Sequence, residues 1–330
     1  MRSRLFLAPC TILLLIGLSC GKSPGGGGAS ETPKADSLRQ SPVAESRRLF
    51  AVPVERAVKI KRYFPYIDQI VQQYDSLVPY RLTEHLLVRF NPWIIDSLAA
   101  MDYYLQKARG EVVLDQRELP VFHPGDTIYI PDSIAATALQ REIDSAWLDV
   151  NIPEFRLRVV RGTSDTLFTF PVRVGKNKKQ FQKLLGKETD LRTQPGSGKI
   201  IKINRDPPWF LDPHTGEKFM ETKRDDGRRT RMPLIPWLEP EINGRRLGQL
   251  IHPTTNPGSL NRAASNGCIG VGEYAAWFIY YYAPVGTPVR IRYDLLLVPA
   301  EGDTLRLEDV YGWEKSKTKK KAQPVNRLHD

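Results

Sequence analysis

The stretch Ile251-His-Pro-Thr-Thr-Asn-Pro-Gly-Ser-Leu-Asn-Arg-Ala-Ala-Ser-Asn-Gly-Cys-Ile-Gly-Val271 is the one the rest of the chain serves. It places a histidine at 252 and a cysteine at 268, with a loop rich in Asn, Gly, Ser and Pro between them. A cysteine nucleophile works as the thiolate, and a free thiol is mostly protonated at neutral pH, so a cysteine site brings an imidazole to the sulfur. A loop of this composition can fold His252 back against Cys268, and Gly267 lets the backbone approach a substrate closely. The backbone N–H groups of Gly267 and Cys268 would then face a developing oxyanion. The segment Leu247–Ile251 reads as a short strand that delivers the histidine.

These residues resemble the signature of the L,D-transpeptidase catalytic domain, the YkuD family: a histidine, then Ser-His-Gly-Cys, a hydrophobic residue and usually Arg or Asn. Ser265, Gly267, Cys268 and Ile269 match, and His252 stands at the family's histidine. Two positions depart: Asn266 replaces the histidine before the glycine, and Gly270 replaces the polar residue at the end. Asn266 still donates and accepts hydrogen bonds.

Composition bounds the setting. The 330 residues, 41% of them hydrophobic, suffice for one sizeable domain and a smaller one. Arg2 and Arg4 precede a short apolar run, Leu5–Leu18, which reads as an export signal too short to span a bilayer. Leu18-Ser19-Cys20-Gly21 resembles a lipoprotein processing site in which Cys20 becomes the lipidated first residue; the alternative is plain secretion. Of the three cysteines, Cys10 lies in the signal and Cys20 carries lipid in this reading, so Cys268 has no partner for an internal disulfide. An inert buried thiol is the bland alternative, and the polar Asn-Gly setting argues against it. The net charge of +11 fits an anionic polymer or lipid surface, and export disfavours nucleic acid as a partner. The expected location is the cell envelope, as a periplasm-facing anchored lipoprotein of a Gram-negative bacterium, with outer-membrane lipid held through Cys20.

Outward from the motif, Gly21–Arg48, with four consecutive glycines at 25–28, reads as a flexible tether. Phe64, Ile67, Ile70, Val71 and Tyr74 recur at helical spacing, and a second helix is expected over Trp93–Ala108 with Gly110 ending it. Asn91-Pro92 and the closing run Leu119–Pro131 resemble the second half of a LysM peptidoglycan-binding module; the alternative is a plain α+β region packed on the catalytic domain. His85 and His123 share no metal-like spacing. Asp132-Ser133 caps a connecting helix to about Arg141. Strand alternation follows in Leu148-Val150-Ile152, Phe155-Leu157-Val159 and 167–172, with Gly162–Asp165 as a hairpin turn.

Downstream, Thr193–Gly198 resembles the family's Thr-Pro-x-Gly turn, and Lys199–Ile203 is a strand. Residues 206–246 read as a long polar insertion with aromatic anchors, which the resemblance makes a lid over the donor groove, with His214 as a turn residue. Glu273–Tyr282 reads as an aromatic core helix, Val289–Arg292 as a last strand. The Lys-rich run 315–321 reads as a disordered tail rather than a specific site.

The expected architecture is therefore mainly β, an L,D-transpeptidase-like β-sandwich with a small N-terminal α+β region. Its parts are a lipoprotein signal at 1–20, a linker at 21–50, the α+β region at 51–132, the catalytic domain at 133–294, and C-terminal strands with a basic tail at 295–330. The resemblance implies acyl transfer on peptidoglycan stem peptides through a Cys268 thioester, with His252 as base and no cofactor or metal. In the family a backbone carbonyl near the histidine orients it, and Pro253 is one candidate. Asn266, Ser265, Arg262 and Asn256 are candidate substrate contacts. Two rivals stay open: an L,D-carboxypeptidase using the same dyad, and a non-catalytic wall-binding lipoprotein. A papain-like protease is disfavoured because its cysteine precedes its histidine.

Overall fold

The computed structural model describes residues 47–212, 214–298 and 302–314. The signal, Cys20, nearly all of the tether and the lysine run lie outside the described residues. Among the described residues no helix is long and apolar enough to cross a membrane.

The alternating segments form the mainly β architecture expected. Ten strands make the principal sheet: β1 (Ala146–Asn151), β2 (Arg156–Arg161), β3 (Asp165–Gly175), β4 (Gly196–Asn204), β5 (Trp237–Ile242), β6 (Arg245–Arg246), β7 (Ile251–Pro253), β8 (Ala263–Ser265), β9 (Ile269–Val271) and β10 (Pro288–Arg292). Their order is β4-β10-β1-β2-β3-β9-β7-β5, and β5 pairs back onto β4, so eight strands close into a ring with no free edge. Leu148, Val150, Leu157, Val159, Phe170, Val172 and Val174 are buried at alternate positions, following the strand period, and Asp149, Asn151 and Val160 are buried between them.

The strand β5 lies inside the stretch read as an irregular insertion. Trp237-Leu-Glu-Pro-Glu-Ile242 does alternate, burying Leu238, Pro240 and Ile242, but Pro240 argues against a strand because it cannot donate to a ladder. The fold accommodates it at a register irregularity: Ile200 pairs with Pro240 and Lys202 with Glu239. The rest of the insertion makes two small hairpins, Phe210–Leu211 with Lys218–Phe219 and Glu221–Lys223 with Arg229–Arg231.

Six α-helices lie among the described residues: α1 (Ile60–Asp75), α2 (Glu84–Phe90), α3 (Trp93–Ala99), α4 (Tyr103–Ala108), α5 (Ser133–Asp144) and α6 (Glu273–Tyr282). The single helix expected over 93–108 is split into α3 and α4. Asp102 causes the break, because its carboxylate accepts from the N–H groups of Tyr104 and Leu105 and so starts a new helix. Arg48–Pro53 pairs antiparallel with Thr127–Pro131, which ties together the two ends of the N-terminal region. Asp132 caps α5 by accepting from the Ala135 N–H at 2.8 Å. Asp132→Ala is expected to cost about 1 kcal/mol, seen as a fall of about 3 °C in the thermal midpoint.

Helix α6 joins the two parts. It is apolar nearly all round, as a fully buried helix must be. One side meets β3, where Phe168 and Phe170 pack in tilted and edge-on contacts with Phe278, Tyr274 and Tyr282. The other side meets α1, with Trp277 and Tyr280 against Tyr63 and Phe64. Tyr280 and Tyr281 both donate to the Glu84 carboxylate at 2.9 Å, and the Tyr63 and Tyr281 hydroxyls bond to each other. The N-terminal helices and the sheet thereby share one core.

Candidate active site

The strands β7 and β9 are parallel neighbours, with Ile251 opposite Ile269 and His252 opposite Gly270. Parallel neighbours need a crossover, and here the crossover is the loop 254–268. The same chain excursion therefore starts beside the imidazole and ends at the thiol. His252 lies within β7 itself, one residue past the strand expected to deliver it.

The turn that presents Cys268 is fixed from several sides. Ser265 Oγ donates to the Cys268 carbonyl at 2.6 Å and accepts from the Gly267 N–H at 3.2 Å. Gly267 has φ +111°, a region that L side chains rarely adopt. Its carbonyl accepts from Thr193 Oγ1 at 2.9 Å, and that hydroxyl accepts from the Gly175 N–H at 2.8 Å. Tyr311 OH closes the frame, accepting from the Thr193 N–H at 3.1 Å and donating to the Gly175 carbonyl at 2.8 Å. Thr193 was legible only as part of a turn. Tyr311 was hidden in a segment read as short strands and tail, where its one signal is the aromatic set Tyr293, Tyr311 and Trp313, which pack together.

The electrostatics keep both groups uncharged at rest. His252 Nδ1 lies 2.8 Å from the Pro253 carbonyl. A carbonyl only accepts, so Nδ1 carries the proton and Nε2 keeps its lone pair. Burial, and after it the Arg173 charge, pushes the imidazole down to about 4. Burial pushes the Cys268 thiol up, against smaller opposing effects of the Leu250 backbone and Arg173. The Sγ–H points to the Gly248 carbonyl at 3.8 Å and makes no hydrogen bond to His252. Catalytic hydrogen bonds are often long in unliganded sites. Trp237 from β5 packs on the imidazole at 5.6 Å between ring centres, and beside it lies a pocket of about 160 Å³ lined by Lys202, Asn204, Trp237, Glu239 and Leu250.

The other sequence candidates take varied positions. Asn266 is exposed, with Oδ1 3.4 Å from Lys176 Nζ. Asn256 engages its carbonyl with Ser259 Oγ at 2.6 Å, while its own Oδ1 is buried without a partner. Arg262 is exposed and contributes its carbonyl to the Val174 N–H at 3.1 Å. His85 Nε2 meets the Tyr280 carbonyl at 3.1 Å, and His214 Nδ1 meets that of Phe181 at 2.9 Å. Among the described residues no group of His, Cys, Asp and Glu has the arrangement of a metal site.

The second hairpin reaches the site loop. Thr222 Oγ1 is 2.7 Å from Thr255 Oγ1, and Asp225 Oδ2 accepts from the Gly258 N–H at 2.7 Å. Tyr104 from α4 donates to the Thr255 carbonyl at 3.2 Å and accepts from the Asp225 N–H at 2.9 Å. Beneath it, Arg224 is paired with Glu273 at the start of α6, and both side chains are fully buried. Sequence reasoning gave no hint of this pair, because its members lie 49 residues apart.

Residues 145–291 match the family model of the L,D-transpeptidase catalytic domain. Similar solved structures include the L,D-transpeptidase of Xylanimonas cellulosilytica (15% identity, 73% of this chain and 97% of that one, TM-score 0.33). Others are L,D-transpeptidase 1 of Mycobacterium tuberculosis (16%, 45% and 61%, TM-score 0.29) and the catalytic domain of the E. faecium enzyme (14%, 44% and 96%, TM-score 0.29). The chain thus spans about three fifths of the mycobacterial protein's length. No curated protein matches it. The matched segment 145–291 holds the closed ring apart from its last residue and the whole His252–Cys268 loop, and it is similar to the YkuD family of L,D-transpeptidase catalytic domains.

Proposed function

We propose that the protein is a cysteine-dependent L,D-transpeptidase acting on peptidoglycan stem peptides. The observation that carries this reading is the pairing of His252 with Gly270 across β7 and β9, which sets the imidazole on the strand adjoining the one that Cys268 leads. His252 Nε2 takes the Sγ proton as the sulfur attacks the carbonyl joining a diamino acid to a terminal D-alanine. The Gly267 N–H is engaged with Ser265, so the Cys268 N–H is the backbone donor for the oxyanion. The tetrahedral intermediate collapses, His252 returns the proton to the departing amine, and the acyl group stays on Cys268 as a thioester. The amine of a second stem then attacks, loses its proton to His252 and releases the thiolate, which regains a proton. A signal and a lipidated Cys20 would place this chemistry at the cell envelope, and the region 51–132 would serve it by supporting α6.

The test is intact-protein mass after incubating the chain with a tetrapeptide stem and a supplied amine. A Cys268-dependent adduct that passes to the amine supports transpeptidation. An adduct that only hydrolyses points to the carboxypeptidase, and no adduct to a binding protein.

The same assay carries a pH expectation. Neutral imidazole is the active base, and its pKa lies near 4. The neutral base is lost as pH falls through that value, and the thiol ionises by itself only above its ordinary range. The acylation rate is therefore expected to change by less than about threefold between pH 5.5 and 8 and to fall about tenfold per unit well below 4. A steep rise centred on pH 6.5 would mean an unperturbed histidine and would contradict this geometry.

A further inference from the structure

Gly270 is opposite His252 in the β7–β9 pairing and opposite Arg173 in the β9–β3 pairing. Arg173, Gly270 and His252 thus form one row across three strands, with the middle member lacking a side chain. Directly paired residues point to the same face of a sheet. The Arg173 side chain fills the space that Gly270 leaves: a Cβ at 270 would stand 2.5 Å from Arg173 Nε and 2.7 Å from its Cγ. That is closer than side chains approach one another, so the departure from the family motif at 270 is what lets Arg173 lie there.

The guanidinium is poorly satisfied. Nη1 donates to Ser259 Oγ at 3.3 Å, and Nε is buried with no hydrogen-bond partner. No carboxylate among the described residues makes an ion pair with it. The acid closest to it in effect, Asp225, has Oδ2 engaged by the Gly258 N–H. Cys268 is a neutral thiol at rest and provides no counter-charge. A largely buried cation without an anion is unfavourable, and this one lies in the row of the imidazole that does the chemistry.

We propose that Arg173, lying across the bare backbone of Gly270, selects a chain-terminal acyl donor by binding the carboxylate of the leaving residue. This rests on the transpeptidase reading above. In that reaction the leaving D-alanine bears a free carboxylate one carbon from the scissile nitrogen, which brings an anion to this part of the site. A guanidinium binds a carboxylate through two parallel N–H donors; with Nε turned onto Gly270 and buried, the terminal Nη1 and Nη2 groups supply that fork, Nη1 keeping one N–H beyond its bond to Ser259.

The experiment compares acylation of Cys268 by a tetrapeptide ending in D-alanine with acylation by the same peptide ending in D-alaninamide. It uses the unmodified chain, Arg173→Met and Arg173→Lys, each with its thermal midpoint measured. The unmodified chain is expected to prefer the acid by about 10- to 100-fold. Arg173→Met should bring that ratio to near one, and Arg173→Lys should keep part of it. The ratio is internal to each variant, so a general loss of folding or activity leaves it unmoved. A ratio near one in the unmodified chain, or one unchanged by Arg173→Met, overturns the proposal. Absence of an adduct with either donor in the unmodified chain overturns the transpeptidase reading itself, and this proposal with it.

Discussion

Replacing Cys268 by alanine is expected to abolish the acyl-enzyme adduct altogether, with no mass shift after prolonged incubation with a stem peptide. The thioester in this mechanism has one sulfur to form on, since among the described residues Cys268 is the free cysteine. His252→Ala is expected to lower the acylation rate by about 10²- to 10⁴-fold, the usual worth of a positioned base. The loss should lie toward the larger end, because partial burial pushes the thiol up and it ionises poorly on its own. Neither change should disturb the fold much. The Cys268 side chain makes one weak contact, to the Gly248 carbonyl at 3.8 Å, and the presenting turn is held by Ser265, Thr193 and Tyr311. Thermal midpoints within a few degrees of the parent, together with loss of the adduct, assign the effect to chemistry. An adduct that survives Cys268→Ala would sink the cysteine mechanism.

What could be read in the chain beforehand divides by distance along the sequence. His252 and Cys268 could be singled out as candidates because they flank one loop and lie in one short motif, and Pro253 because it follows the histidine. Helix α6 was legible because its aromatics are continuous. Arg173 was not, since its importance depends on the β3–β9 register that sets it opposite Gly270, and no local pattern reports a register. The strand β5 carried a period-two signal that Pro240 concealed; only the irregular pairing with β4 explains how the proline is tolerated. The break between α3 and α4 was written in Asp102, a good helix starter, but the apolar spacing ran across it. Tyr311 stands far from the motif it braces, in a stretch whose composition suggested little order.

The buried pair of Arg224 and Glu273 supports the larger stability prediction. Both side chains are excluded from water, and the network around them is nearly complete. Arg224 Nε donates to Thr230 Oγ1 and Nη2 to Gln116 Oε1, each at 2.8 Å, while Glu273 Oε2 accepts from Gln116 Nε2 at 2.8 Å and from the Tyr103 N–H at 3.1 Å. Asp102 lies close enough that burial and then the Glu273 charge raise its carboxyl to about 6. Arg224 is the cation paired with Glu273, one of these two neighbouring buried acids. Removing one partner of a buried pair leaves an uncompensated charge, so Arg224→Ala is expected to destabilise the fold by about 3–5 kcal/mol, a fall of about 10 °C in the thermal midpoint. Replacing both partners together, Arg224→Met with Glu273→Leu, should recover most of this, because a packed apolar pair has no such charge. A double variant no more stable than Arg224→Ala would show that lost packing against Tyr103, over whose ring the guanidinium sits at 4.5 Å, outweighs the charge. The hairpin that carries Arg224 also holds Thr255 and Gly258 in the loop between His252 and Cys268, so acylation in this variant should fall even at temperatures where it remains folded.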